Sequence, residues 1–294
     1  MNINIQKNID LNILNNLKDE ITYGGYLAAL CSPCFIISTS LILGIKIDLI
    51  MLLIAYLLPL IVYSYDYYKD IDKDIKNDSE RAIFLKKKAD KYPFILGFYV
   101  FLLFSLLILF SNYILVTFIS IIITGGILYN VLLKNLTKKI PAFKNIFTAV
   151  TWASVGALFP IFYYSIDISI PFIIMFISIF LRVTFNVIFF DLKDIDSDKE
   201  EKLKTLPVMV GKKSTIKILH ALNLIAFLPL VIGIFFHVIN IYGIFLLLFV
   251  LYGYFYIRKA NLASTNELET TAHTLADFEF ILWPLLLLGV TYFI

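Results

Sequence analysis

Nine long apolar runs divide this chain, each close to the ~20 residues a helix needs to cross the hydrocarbon layer of a bilayer. They start near Tyr23, Ile47, Pro93, Asn112, Phe143, Ile168, Thr215, Ile241 and Leu275. The runs are continuous. They do not alternate as the strands of a membrane barrel do, and they do not repeat every third or fourth residue as an amphipathic helix does. With 60% of the 294 residues hydrophobic and 16% charged, too little polar surface remains to clothe a soluble domain of this size. The expected fold is an all-α integral membrane protein, a bundle of nine transmembrane helices. A polar segment, residues 1–20, precedes a single transmembrane domain, residues 21–294. Because the first run follows that polar stretch, no cleavable signal is expected.

The cations fall on one set of loops. Lys7 and Lys18 precede the first run, and Lys69, Lys73, Lys76, Arg81 and Lys86 to Lys88 follow the second. Lys134, Lys138, Lys139 and Lys144 follow the fourth, Lys193 to Lys217 surround the loop after the sixth, and Arg258 and Lys259 follow the eighth. The alternate loops hold Lys46. Cytoplasmic loops carry the excess of Lys and Arg. The expected placement is therefore a multi-pass protein of the cell membrane, with its N-terminus and long loops cytoplasmic and its C-terminus outside. Cytoplasmic caps are expected after helices 2 and 6.

Those two loops open on aspartates. Asp66, Asp70 and Asp74 are spaced by four, so a helix continuing from the second run carries all three on one face. Asp72, roughly 200° around from Asp70, points away. Asp191, Asp194 and Asp198 fall within about 60° of one another on a continuous helix, and Asp196 falls outside that arc. Like charges at this spacing disfavour a helix, and partial desolvation at a membrane boundary adds to the cost. Repeating the arrangement points to a neutralising cation. Magnesium fits, being hard, oxygen-seeking and commonly held by one or two carboxylates together with phosphate oxygens. No histidine lies near either cluster to favour a transition metal.

The two clusters resemble the paired aspartate-rich motifs of the UbiA superfamily of intramembrane prenyltransferases. Asp66-xxx-Asp70-xxx-Asp74 looks like the first motif, with Asp66 where the family usually has Asn, and Asp191-xx-Asp194-xxx-Asp198 looks like the second. Lys204 to Val208, Gly211 to Lys213, and Tyr129 to Lys134 are similar to runs that the family carries after its second motif and its fourth helix. An Arg-Pro pair that many members carry after the first motif is replaced here by Asn77 to Ala82.

The resemblance implies magnesium-dependent transfer of an isoprenyl group from an allylic isoprenyl diphosphate to a small aromatic or lipid-precursor acceptor. It implies metal ligation by Asp66, Asp70, Asp74, Asp191, Asp194 and Asp198, with Asp70, Asp74, Asp194 and Asp198 serving catalysis. Asn186, Arg81, Tyr129 and Lys134 are expected to bind substrate. The expected partners are the diphosphate, the acceptor and the lipid bilayer, and not nucleic acid. Two other functions share these features: a terpene cyclase on the same scaffold, and a cation-coupled transporter. The transporter is disfavoured because its ion sites lie near the bilayer midplane, whereas these acids lie at helix ends.

Other polar residues inside the runs carry lesser expectations. Arg182 either pairs within the bundle or faces a cavity. Asp277 and Glu279 open the ninth run, as an electrostatic cap would. Cys31 and Cys34 lack the second pair that a structural zinc site needs and read as small core residues.

Overall fold

The computed structural model describes residues 20, 24–74, 80–131, 133–262, 267–268 and 271–293, and all regular structure among them is helical. In chain order the helices are α1 (Tyr26–Leu43), α2 (Leu49–Asp74), α3 (Glu80–Lys86), α4 (Tyr92–Phe110), α5 (Tyr113–Val131), α6 (Phe143–Ala153) and α7 (Phe159–Tyr164). They continue with α8 (Ile170–Asp191), α9 (Ile195–Glu200), α10 (Leu206–Ile225), α11 (Leu228–Phe235), α12 (Leu248–Leu262) and α13 (Asp277–Phe293). Eight helical stretches among the described residues are long and apolar enough to cross a membrane. The fourth expected run forms a shorter apolar helix, Tyr113–Tyr129.

Prolines punctuate these helices in two ways. Pro93, Pro160, Pro171, Pro207 and Pro229 occupy the first helical positions of α4, α7, α8, α10 and α11, where the missing N–H is no loss. Pro59 lies inside α2 and leaves the carbonyl four residues earlier without its helical donor. Ser32 of α1 supplies one, its hydroxyl donating to the Ala55 carbonyl at 2.7 Å. Gly156, four residues before Pro160, is treated alike: its carbonyl accepts from the Thr39 hydroxyl at 2.9 Å. Neighbouring helices thus satisfy the groups that proline frees in a bilayer.

α1 is the central helix. Its buried face packs α2 on one side and α13 on the other, with the π-turn Ser154–Leu158 between α6 and α7 pressed against Phe35. Cys31 and Cys34 are buried and unpaired. α4 is peripheral: it buries Tyr92 and Leu103 and exposes Phe94, Phe98, Phe101 and Phe104, as a lipid-facing helix would.

Arg182 is fully buried and pairs within the bundle. Its guanidinium grips the Glu279 carboxylate with two nitrogens, donates to Asn223, and lies over the Phe185 ring at 4.1 Å. Tyr256 donates to the same carboxylate at 2.8 Å. Glu279 is therefore no surface cap: it is the counter-charge that lets α8 carry an arginine. α10, α12 and α13 meet at this network. Gly253 of α12 leaves the room, since a Cβ there would stand 2.4 Å from Asn223 Oδ1.

The seventh expected run begins earlier than its apolar residues suggest. α10 starts at Leu206 and breaks at Gly211, whose φ of 78° suits glycine.

Candidate active site

α2 remains helical as far as Asp74, as the spacing of the first cluster predicts. Asp66 is half-buried and faces the bundle interior. The side chains of Asp70, Asp72, Asp74, Arg81 and Lys134 lie outside the described residues.

The second cluster is built differently from the expectation. α8 ends at Asp191, and three successive bonds to the carbonyl three residues back tighten the chain through Asp194: Leu192 to Phe189, Lys193 to Phe190 and Asp194 to Asp191. α9 then starts afresh from Asp194. Asp191, Asp194 and Asp198 therefore share no continuous helical face. Asp191 is fully buried and held by α6, with Lys144 Nζ donating to Oδ1 at 2.8 Å and Asn145 Nδ2 to Oδ2 at 2.7 Å. Asp194 accepts from Lys193 at 2.8 Å. Asp198 turns to Thr205, which donates to it at 2.9 Å. Burial pushes the Asp198 carboxyl up to about 6, against the opposing pull of the Lys144 ammonium. Asp196 is exposed.

Two adjoining cavities, of about 340 and 270 Å³, meet at Tyr63, Asp66, Lys144, Thr148 and Trp152, which line both. The larger carries the polar groups: Asp66, Asp191, Asp194, Asn186 and Lys193 line it. Acids from α2 and α8, more than a hundred residues apart in sequence, thus share one lining. Asn186 also donates to the Ala276 carbonyl at 3.0 Å. Asp198 does not line either cavity.

The smaller cavity is an apolar chamber among α2, α5 and α6, bounded by Leu58, Val62, Ile122, Gly126, Phe147 and Val155. Tyr129 lines it too and stacks on Phe147, with ring centroids 4.9 Å apart. The whole forms a polar mouth joined to a greasy pocket, which suits a ligand with a charged head and an apolar tail.

The donor set suits a hard cation. It offers carboxylate oxygens, and the nearby Asn145 Oδ1 is buried without a hydrogen-bond partner. Among the described residues no three His, Cys, Asp or Glu side chains stand together as a complete metal site.

Lys144 and Asn145 were not singled out in the sequence as site residues. Their signal is a polar pair in the first turn of an apolar run, 47 and 46 residues from the aspartate they hold.

Known proteins share this fold. The model of the UbiA prenyltransferase family matches residues 26–281. A digeranylgeranylglyceryl phosphate synthase of Methanosphaera stadtmanae is 26% identical over 112 residues, 38% of this chain and 40% of that protein. The chain thus aligns with about two-fifths of the length of that curated relative. The fold matches the apo structure of a UbiA homologue from Aeropyrum pernix K1, with a TM-score of 0.66 and 13% identity over 92% of this chain and 99% of that one. It also matches a UbiA homologue from Archaeoglobus fulgidus bound to GPP and Mg2+, with a TM-score of 0.63 and 15% identity over the same shares. This chain belongs to the UbiA prenyltransferase family.

Proposed function

We propose that the protein transfers an isoprenyl group from an allylic isoprenyl diphosphate to a small aromatic or lipid-precursor acceptor, with magnesium at the two aspartate clusters. The observation that carries this reading is the convergence of Asp66 with Asp191 and Asp194 on a cavity that adjoins an apolar chamber. The Archaeoglobus fulgidus homologue, bound to DMAPP or GPP with Mg2+, supports the donor class and the metal. Asp66, Asp70, Asp74, Asp191 and Asp194 would hold the metal, whereas Asp198, turned to Thr205 and outside both cavities, would not. Bound there, magnesium would neutralise the diphosphate as a leaving group.

The chain's own residues do the rest. Lys144, anchored on Asp191, brings a positive charge to the junction of mouth and chamber. Arg81 and Lys134 add to it, Arg by bidentate contact and Lys as a point charge. Asn186 lines the mouth. The Tyr129 and Phe147 rings face the tail chamber and suit an allylic cation. The surrounding helices exclude water that would quench that cation. The nine-helix count, the cytoplasmic side of the mouth and the external C-terminus rest on the short helix Tyr113–Tyr129 and on the loop cations.

The test is diphosphate release by purified protein from geranyl diphosphate, with and without an added acceptor and with and without EDTA. Release requires magnesium and an acceptor; release without an acceptor would favour a cyclase. Asp70→Ala and Asp194→Ala lower it on the order of 1,000-fold, whereas Asp196→Ala leaves most of it. Equal losses in Asp194→Ala and Asp196→Ala, or release in EDTA, would refute the reading.

A further inference from the structure

The acids that the end of α8 gives to the larger cavity are each paired with a lysine. Lys144 Nζ stands 2.8 Å from Asp191 Oδ1, and Lys193 Nζ stands 2.8 Å from Asp194 Oδ1. All four side chains line that cavity. The charges of these four groups balance, so as a set they favour neither a lone cation nor a lone anion. Asp191 is the more firmly held: Oδ1 accepts from Lys144 and Oδ2 from Asn145. A divalent ion on this carboxylate would stand beside the Lys144 ammonium, and the like charges would repel. Yet the ammonium cannot simply leave, because a buried carboxylate stripped of its counter-charge is costly. An exchange needs a second cation for Asp191 and an anion to receive the ammonium.

Lys144 is placed to make that exchange. It stands in the first turn of α6, where Lys144, Thr148 and Trp152 share one helical face and line both cavities. Its side chain is 31% exposed, whereas that of Asp191 is 0% exposed. Rotation about its flexible stem carries the ammonium from Asp191 toward the junction of the cavities without moving the backbone. At that junction the charged head of an amphiphilic ligand gives way to its apolar tail. Asn145 stays behind. It is fully buried, its Nδ2 keeps Asp191 Oδ2, and its Oδ1 has no hydrogen-bond partner among the described residues. Such an oxygen suits a hard cation.

We infer that Lys144, seconded by Lys193, is an exchangeable counter-ion: it holds the second aspartate cluster until metal and diphosphate enter together, then turns from the carboxylate to the diphosphate. The inference rests on the prenyl-transfer reading above and adds to it how the two ligands depend on one another. No covalent bond changes in the exchange. Metal alone meets the ammonium. Diphosphate alone meets an ammonium that its carboxylate still needs. Each ligand therefore raises the affinity for the other, and by the same factor.

The experiment reads binding rather than turnover, in purified full-length protein. Mn2+ is the metal probe, followed by the EPR signal of the free ion. Geranyl S-thiolodiphosphate, an analogue that ionises slowly, is the diphosphate probe, followed by calorimetry. Protein-free titrations correct for complexes of metal with analogue. Wild type is expected to bind Mn2+ on the order of tenfold tighter with the analogue than without it. Lys144→Met moves the two affinities in opposite directions: Mn2+ alone binds about tenfold tighter, and the analogue with Mn2+ binds about tenfold weaker. Lys144→Arg keeps the competing charge, so Mn2+ alone binds as weakly as in wild type. Lys193→Met shifts both affinities in the same senses as Lys144→Met and decides the matter if that variant fails to fold; thermal unfolding checks each. A lysine that only braces Asp191 would weaken both affinities or leave that of the analogue unchanged. Either result in a folded variant overturns the inference, as does equal Mn2+ affinity of wild type with and without the analogue. A wild-type protein that binds no analogue in the presence of Mn2+ overturns the prenyl-transfer reading itself.

Discussion

Asp191 and Asp198 are seven residues apart and meet burial in opposite ways. Asp191 has two donors, one of them charged, and accepts full burial. Asp198 has one neutral hydroxyl donor, and its carboxyl is pushed up to about 6. The sign follows from linkage. The folded protein binds the Asp198 proton more tightly than the unfolded chain does, so stability falls as pH rises from about 4 through about 6. In EDTA, Asp198→Asn is therefore expected to stabilise the fold at pH 7.5 by an amount on the order of 2 kcal/mol, read as a higher unfolding temperature. The advantage should vanish near pH 4. A scan showing no gain at pH 7.5 would contradict this account. Asp191, Asp194 and Asp66 were legible in the sequence because repeated acids at a membrane boundary need a reason. Lys144 and Asn145 were not legible, because an alternative role as ordinary loop cation and helix-start amide fits the same letters.

Among the elements, the long helices were the easiest to read. Their apolar runs leave no other way to satisfy buried backbone groups in lipid. Helix ends were harder. The turn after Asp191 and the π-turns at Ser154–Leu158 and Ala272–Ala276 depend on side chains from other helices, which local patterning does not reveal. The Arg182–Glu279 pair is the clearest case: each residue was visible, and their partnership was not. Removing one partner strands a buried charge. Arg182→Met is expected to destabilise the detergent-solubilised protein by about 3–5 kcal/mol, measured as lost thermal stability and monodispersity. Arg182→Met combined with Glu279→Met should recover most of that loss. A double variant as unstable as the single one would show that the network's value lies elsewhere, in Asn223 and Tyr256.

On the scale of the whole molecule, helices distant in sequence close around two adjoining cavities. Hydropathy and loop charge made the bundle and its acidic end legible, yet the cavities depend on which helices neighbour one another, and no periodicity encodes that. The chamber's size is set by small residues. Gly126 of α5 approaches Val62 of α2 so closely that a Cβ would meet a methyl at 3.0 Å. Gly126→Leu is expected to shift the ratio of kcat/KM for a C20 donor over a C5 donor downward by about tenfold or more. The ratio is insensitive to the fraction of folded enzyme. An unchanged ratio would place the tail outside this chamber.

The buried arginine also constrains how the protein is made. Arg182 precedes Glu279 by 97 residues, so α8 leaves the ribosome long before its counter-charge exists. An unpaired arginine at the centre of a helix costs roughly 3 kcal/mol on insertion. The nascent α8 should therefore linger at the translocon until α13 arrives, and a chain truncated before α13 should be recognised as unfinished and degraded.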